Sequence, residues 1–416
     1  MRFDPRILAV MLAGFTAFLS IYAPQPLLPM LARVFRTSAG EISLSITFAT
    51  LGMALASPFA GALADRIGRQ RLILISAFAL AVFSLLSAAA PGLWPFLLTR
   101  FLIGVATPGI VAAAVAYIHE QWGASNQTGR ATSFYIIGTI FGGFSGRFVA
   151  GLLAGRIDTH WVFFVVGLLN LACAVGLWIC LPRETHGATA VKGASASSND
   201  LPLRDAVAAH LRNPQLIATL AVGFCVLFTL TSTFTYINFH LAEEPFHLTS
   251  AELGWLFFVY LFGALATRIA GRGLDRRGPR RTLTIGVAAG TAGVLLTLAP
   301  SLPLVLVGLA LCCSGVFTAQ ASTNSYLGVA TSHNRALAVG LYGAAYYAGG
   351  SAGAAVPGLI WHSYGWTGCV TLIVCVQLLS IALALRLWPA QGSSDQGKGN
   401  GIGNGAPLRP NGQTPS

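Results

Sequence analysis

Twelve apolar runs, each about long enough to cross a bilayer, constrain this chain more than any other feature. A membrane helix takes roughly 20 mostly apolar residues. Such runs occupy, approximately, 7–30, 42–63, 72–90, 93–117, 131–154 and 161–181, then 214–238, 251–270, 282–299, 302–326, 335–358 and 364–387. Charge is correspondingly scarce: 9% of the 416 residues are charged, against roughly 25% in an average soluble domain. A water-soluble fold is therefore excluded, and so is a largely disordered chain. An all-α polytopic membrane protein remains. The run from Ile7 to Ala23 behind Arg2 and Arg6 has the shape of a signal-peptide core, but it continues past Pro24, Pro26 and Pro29 and is read as a retained first span.

The longest polar stretch, Pro182 to Asn213, separates six runs from six. Within it Leu203, Val207 and Leu211 recur every four residues, which predicts a short helix on the membrane surface. The end of the chain is rich in Gly, Asn, Ser and Pro and is expected to be disordered. The organisation is then a six-helix bundle over 1–181, a central cytoplasmic loop over 182–213, a second bundle over 214–387 and a tail over 388–416.

The net charge of +12 could suggest a nucleic-acid partner, yet the basic residues cluster in short loops between apolar runs. That is the pattern of membrane orientation. With both termini cytoplasmic, 20 of the 25 Lys and Arg fall inside, Arg33, Arg36 and Arg156 fall outside, and Arg100 and Arg147 lie within spans. Both ends are expected inside, and no nucleic acid is expected. The seven cysteines sit in apolar runs without a CxxC pair, so neither a disulfide framework nor a metal site is indicated. No cofactor is expected.

The chain also repeats itself. Gly61-Ala-Leu-Ala-Asp65-Arg66-Ile-Gly68-Arg69-Gln-Arg71 follows the second span, and Gly271-Arg-Gly-Leu-Asp275-Arg276-Arg-Gly278-Pro-Arg280-Arg281 follows the eighth, 210 residues later. Tyr135, Gly142, Gly143, Gly146 and Gly151 of the fifth span are echoed by Tyr342, Gly349, Gly350, Gly353 and Gly358 of the eleventh, 207 residues later. Internal duplication of this kind is a mark of transporters. The glycines of the loop permit a tight reversal. Asp65 is expected near the start of the third span, where the helix dipole favours a carboxylate, with Arg66, Arg69 and Arg71 at headgroup level.

The repeated Gly-x-x-x-Asp-Arg-x-Gly-Arg loop resembles the signature of the major facilitator superfamily, and the likeness extends over nearly the whole chain. It implies two pseudo-symmetric six-helix bundles and a latch. In that picture Asp65 engages the inner end of a helix from the other half, closes the cytoplasmic side and releases once per cycle. Pro279 replaces a usual basic position in the second copy. For Arg69, Arg71, Arg280 and Arg281 singly, orientation accounts for the charge as well as a specific role does.

Span five, Gly138-Thr-Ile-Phe-Gly142-Gly143-Phe-Ser-Gly146-Arg147, looks like the glycine motif of drug–proton antiporters, except that Gly143 stands where proline is expected and Arg147 where glycine is expected. Gly138, Gly142 and Gly146 share one helix face and let a neighbour approach closely. Gly349, Gly350 and Gly353 are their counterparts. Simple packing and an exporter role both fit this spacing.

At ~1.5 Å per residue, Arg100 lies about 10 Å below the outer end of span four and Arg147 about 9 Å below that of span five. An arginine at such depth is costly and should face a wet cavity, find a partner or snorkel to the interface. The motif Arg100-Phe-Leu-Ile-Gly104 is similar to the family's span-four arginine motif, which is associated with proton coupling or substrate charge. Together the two arginines are expected to make the outer cavity positive and to favour an anionic group. No carboxylate lies near the middle of a span, so coupling to protons would fall to Asp65, Glu41 or Glu252 at span ends, or to a titrating substrate. The resemblance implies a cavity lined by spans one, four, seven and ten; its candidates are Tyr22, Gln25, Tyr117, Thr235, Tyr236, Asn238, Thr318, Gln320, Ser322, Asn324 and Ser325.

A nucleotide-driven pump would need a phosphate loop, and none is present. Gly143-Phe-Ser145-Gly-Arg147 misses the nucleophile elbow of a hydrolase, and His119-Glu120 lacks the second histidine of a zinc-protease helix. The expectation is a secondary-active transporter of the bacterial inner membrane, working as a monomer in the lipid bilayer. It would export small organic solutes by alternating access, with protons as coupling ion. Uptake or exchange of an organic anion is the alternative, and a membrane sensor or scaffold is the rival from another class.

Overall fold

The computed structural model of the chain describes residues 4–123, 127–181, 203–331 and 335–389. Thirteen α-helices carry the described residues, with no strand among them: α1 Pro5–Leu19, α2 Leu28–Phe35, α3 Ala39–Ile67, α4 Arg69–Ala88, α5 Leu93–Trp122, α6 Thr128–Ala154, α7 Thr159–Cys180, α8 Leu203–Leu211, α9 Pro214–Ala242, α10 Ser250–Leu256, α11 Val259–Leu296, α12 Leu302–Ala330 and α13 Arg335–Leu387. Most of the central stretch 182–213 and the tail from 390 onward, with the expectations made for them, lie outside the described residues. The expected short helix forms as α8.

Among the described residues nine apolar helical stretches are long enough to cross a membrane. The count reconciles with twelve spans at three places. Gly278 (φ 74°) and Gly365 (φ 52°) leave helical geometry inside α11 and α13, so each of these runs holds two spans. The first span is broken: α1 ends at Leu19, a 3-10 turn covers Gln25–Leu27, and α2 follows. Pro24, Pro26 and Pro29 supply no N–H to an α-helical ladder; three in six residues break this run, where the single Pro58 of α3 and Pro108 of α5 are absorbed within continuous helices.

Helix ends follow local chemistry. Ser38 and Glu41 form a capping box at the start of α3, with the Ser38 N–H donating to Glu41 Oε2 at 2.9 Å. Thr249 and Glu252 form the same box at the start of α10, at 2.8 Å. Two of the three acids named for coupling, Glu41 and Glu252, therefore hold a helix start in place. At the signature loops, Gly68 (φ 96°) and Gly278 (φ 74°) take left-handed backbone, which side chains resist. A Cβ on Gly61 or Gly271 would meet nothing within 4 Å, so it is Gly68 and Gly278 whose backbone calls for glycine. Asp65 lies in the last turn of α3, and Arg69 begins α4; the expected position at a helix start is off by one short link.

Packing is duplicated between the halves. Cβ atoms placed on Gly138, Gly142 and Gly146 of α6 would strike the carbonyls of Met11, Phe15 and Leu19 on α1, one turn apart each. Those on Gly349 and Gly353 of α13 would strike the carbonyls of Phe224 and Phe228 on α9. Gly350 faces Leu227, and Gly143 faces Arg147. The halves meet along two seams, α3 with α13 and α6 with α10. The first seam runs from Gly40 against Gly358 to Pro58 against Gly340. At its middle Thr47 Oγ1 donates to Ser351 O at 3.3 Å, and Ser351 Oγ donates to Thr47 O at 3.2 Å. The outside is apolar, with Phe59, Ile75, Trp178 and Leu359 all exposed, a surface suited to lipid.

Candidate functional site

The fifth span, α6, brings its arginine to the junction of the halves. Gly146 and Gly142 let α6 lie directly on α1, so Arg147 is carried against the broken stretch that follows α1. The residue is 2% exposed, and its guanidinium lies among three rings: 4.5 Å from the Tyr22 centroid, 5.1 Å from Phe257 and 4.6 Å from Tyr260. Nε donates to Gln25 Oε1 at 2.7 Å, Nη1 to Gly143 O at 2.6 Å and Nη2 to Tyr260 Oη at 3.4 Å. Gln25 in turn donates from Nε2 to Thr235 Oγ1 at 3.3 Å. Tyr22, Gln25 and Arg147 belong to the first half, whereas Thr235, Phe257 and Tyr260 belong to the second. A buried cation joins the halves without a carboxylate: among the described residues every ion pair involves Arg69.

Arg100 reaches the same broken stretch from α5. It is 1% exposed, its Nη2 donates to Ile21 O, and its Nε has no partner. Ile21 lies two residues past the end of α1, so the cation meets a backbone carbonyl of the break near the negative end of the helix dipole. Sequence depth led to the expectation of two arginines facing an outer cavity. In this conformation neither faces open space; each has found protein acceptors on the first span.

On the side away from the arginine-rich loops, the junction is sealed above Arg147. A Cβ on Gly151 would lie 2.7 Å from Gly254 Cα, so α6 and α10 touch backbone to backbone. Phe148 packs edge-on against Trp255 at 4.9 Å, and Phe144 against Phe258 at 4.7 Å. Toward the arginine-rich side α6 scarcely meets α11, and Asp65, 70% exposed at its side chain, pairs only with Arg69 at 3.9 Å. Arg69 also holds Glu120 at 2.7 Å. Arg66, Arg71, Asp275 and Arg276 are exposed, and Arg280 donates to Leu385 O. Among the described residues Asp65 forms no ion pair with the second half. The far face is closed.

The remaining candidates separate. Tyr236 is fully buried and donates to Ala354 O at 2.8 Å, which makes it part of the α9–α13 contact. Asn238 donates to Phe234 O at 2.6 Å while its Oδ1 is unpartnered. Gln320 is half-buried and Asn324 exposed; neither reaches the Arg147 cluster. Sequence reading did not single out Tyr260, Phe257 or the gate aromatics. The available signal was the density of aromatics on both sides of Arg147 (Phe144, Phe148) and at the start of span eight (Trp255, Phe257, Phe258).

The model of the Major Facilitator Superfamily matches residues 10–244 and again 239–413. The chain is 31% identical over 375 residues to an uncharacterized MFS-type transporter, YybF, of Bacillus subtilis (strain 168), covering 89% of this chain and 90% of that one. It is 29% identical over 382 residues to the inner membrane transport protein YnfM of Escherichia coli (strain K12), covering 91% and 89%. Among solved structures, a point mutant of the nucleoside transporter NupG superposes with a TM-score of 0.74 at 15% identity over 92% of this chain and 100% of the other, a likeness of fold. A duplicated all-helical bundle, two signature loops and a family match over both halves converge: the chain belongs to the Major Facilitator Superfamily and is a multi-pass transporter of the inner membrane, not an enzyme.

Proposed function

We propose that this transporter is a secondary-active carrier that exports small organic solutes by alternating access, and that the structure is its far-closed state. Two six-helix units over 1–181 and 214–387 rock about their seams, joined by 182–213, with both termini and the arginine-rich loops in the cytoplasm and a single chain as the working unit. The observation that carries the reading is the one-sided closure along α6: Gly151 on Gly254 and the crossed aromatics close one end, while α6 and α11 scarcely meet toward the other and α3 stays on α13 along its length. The glycine face of α6 against α1 supports export by its likeness to antiporter sequences. Asp65, paired among the described residues with Arg69, is the latch that forms when the far face opens. A proton is the coupling ion of this reading.

A second reading, inward carriage of an organic anion, is favoured by one observation. Among the described residues the buried guanidinium of Arg147, which touches both halves, has no carboxylate partner.

A disulfide tests the carrier. A Cβ on Gly155 would lie 3.9 Å from Ala251 Cβ, close to the mean of about 3.8 Å in disulfides. The double variant Gly155→Cys/Ala251→Cys, oxidised in proteoliposomes, is expected to stop solute flux and to regain it on reduction. Flux that persists through the intact cross-link refutes alternating access at this face.

A further inference from the structure

We propose that Arg147 is a state-dependent anion site, masked by aromatic rings while the far face is closed and uncovered to bind the oxyanion group of a small organic anion when that face opens. The proposal rests on the second reading above. Its basis is how the cage divides. Tyr22, Gln25 and the Gly143 carbonyl ride with Arg147 on the first half, but Phe257 and Tyr260 approach from the second. Any motion that parts α6 from α10 strips two rings and the Tyr260 hydroxyl from the guanidinium and leaves the rest in place.

What is uncovered has a definite chemistry. A guanidinium carries five N–H groups in a planar fork, and three have acceptors here. Parting the halves removes the Nη2 acceptor, so the free edge presents parallel donors to a carboxylate or phosphate group, the bidentate geometry that arginine favours. Among the described residues the cation has no competing carboxylate within 4.0 Å, and a part-desolvated cation without a counter-charge is costly; an incoming anion offsets that cost. Gln25, released from Thr235 by the same motion, gains a free amide donor beside the site. Closure returns Phe257 and Tyr260 to the guanidinium in competition with the anion and loosens it toward the arginine-rich face. Arg100 does not behave this way, because both its groups and its acceptor, Ile21 O, lie in one half.

The test uses the full chain in lipid nanodiscs and the arginine reagent phenylglyoxal, with modification of each arginine read by mass spectrometry. The far-closed state is held by the Gly155→Cys/Ala251→Cys disulfide. The far-open state is favoured by Gly254→Trp, which cannot close on Gly151, with Gly254→Leu as the milder alternative should the first not fold. Arg147 is expected to react at least about tenfold faster in the open variant, the change that a 1.4 kcal/mol shift in accessibility gives. Arg156, exposed at the far face, should react alike in both. Benzoate or phenyl phosphate should slow the Arg147 reaction in the open variant, and benzyl alcohol should not. Equal Arg147 reactivity in the two states overturns the proposal, as does protection by the alcohol equal to that by both anions. The labelling does not depend on net flux: a chain that moves no solute yet shows state-dependent protection keeps the anion site and loses the carrier reading, and the converse result does the opposite.

Discussion

Replacing Tyr260 with leucine should open the far face, and the size of the effect follows from what the ring touches. Tyr260 stands 4.6 Å from the Arg147 guanidinium across the junction, accepts a long hydrogen bond from it at 3.4 Å, and packs edge-on with Phe234 at 4.7 Å inside its own half. Only the first two bind one half to the other. A desolvated cation–π contact is worth about 2 kcal/mol, and a bond as long as 3.4 Å adds about 0.5 kcal/mol at most. Tyr260→Leu should therefore weaken the far-closed state by roughly 2 kcal/mol, which multiplies the open population about thirtyfold where the closed state dominates. Tyr260→Phe keeps the ring and should change that population by about twofold or less. The open state can be read through Thr235→Cys, buried at the junction, as the rate of alkylation by an impermeant maleimide added at the far face of both backgrounds. Equal rates in the leucine and phenylalanine variants would show that the ring does not hold the halves together, and the cage would lose its energetic role.

Two further substitutions separate packing from gating. Gly146→Ala pushes a methyl into the Leu19 carbonyl, whereas Gly143→Ala meets only Arg147 Nη1 at 3.3 Å and Phe18 Cβ at 3.8 Å; thermal unfolding should show a loss of about 1–3 kcal/mol for the first and little change for the second, and equal losses would contradict the α1–α6 register. Asp65→Asn, at an exposed site with one ion pair of 3.9 Å, should leave thermal stability within about 0.5 kcal/mol yet slow solute turnover in proteoliposomes; undiminished turnover removes the latch.

The frame of the molecule was legible because bilayer thickness and helical rise fix how long an apolar run must be, and because duplication let each loop corroborate its twin. The three prolines behind Ile21 were visible as well, but the break they impose is a matter of backbone hydrogen bonding that a hydropathy reading passes over. The depth of Arg100 and Arg147 could be counted from span ends; the direction in which each points could not. Arg100 turns to a carbonyl 79 positions earlier and Arg147 to a hydroxyl 113 positions later, and no local pattern encodes partners so distant. Tyr260 and Phe257 sit in a run of apolar residues where an aromatic ring is ordinary filling. Gln25 and Thr235, 210 residues apart like the two signature loops, do meet across the junction, so the period of the repeat held this contact in a form that could have been searched.

The crossed hydroxyl bonds of Thr47 and Ser351 have a mechanical consequence. Seven residues separate Thr47 from Gly40 and eleven from Pro58, or ~10 Å and ~16 Å of helix on either side. If the two bodies tilt by roughly 10°, as subunits and domains do in switching proteins, the ends of this seam shift by ~2 and ~3 Å while its centre hardly stretches. Bonds placed at such a fulcrum would survive that tilt and keep the two bodies registered without spending contact energy at each reversal.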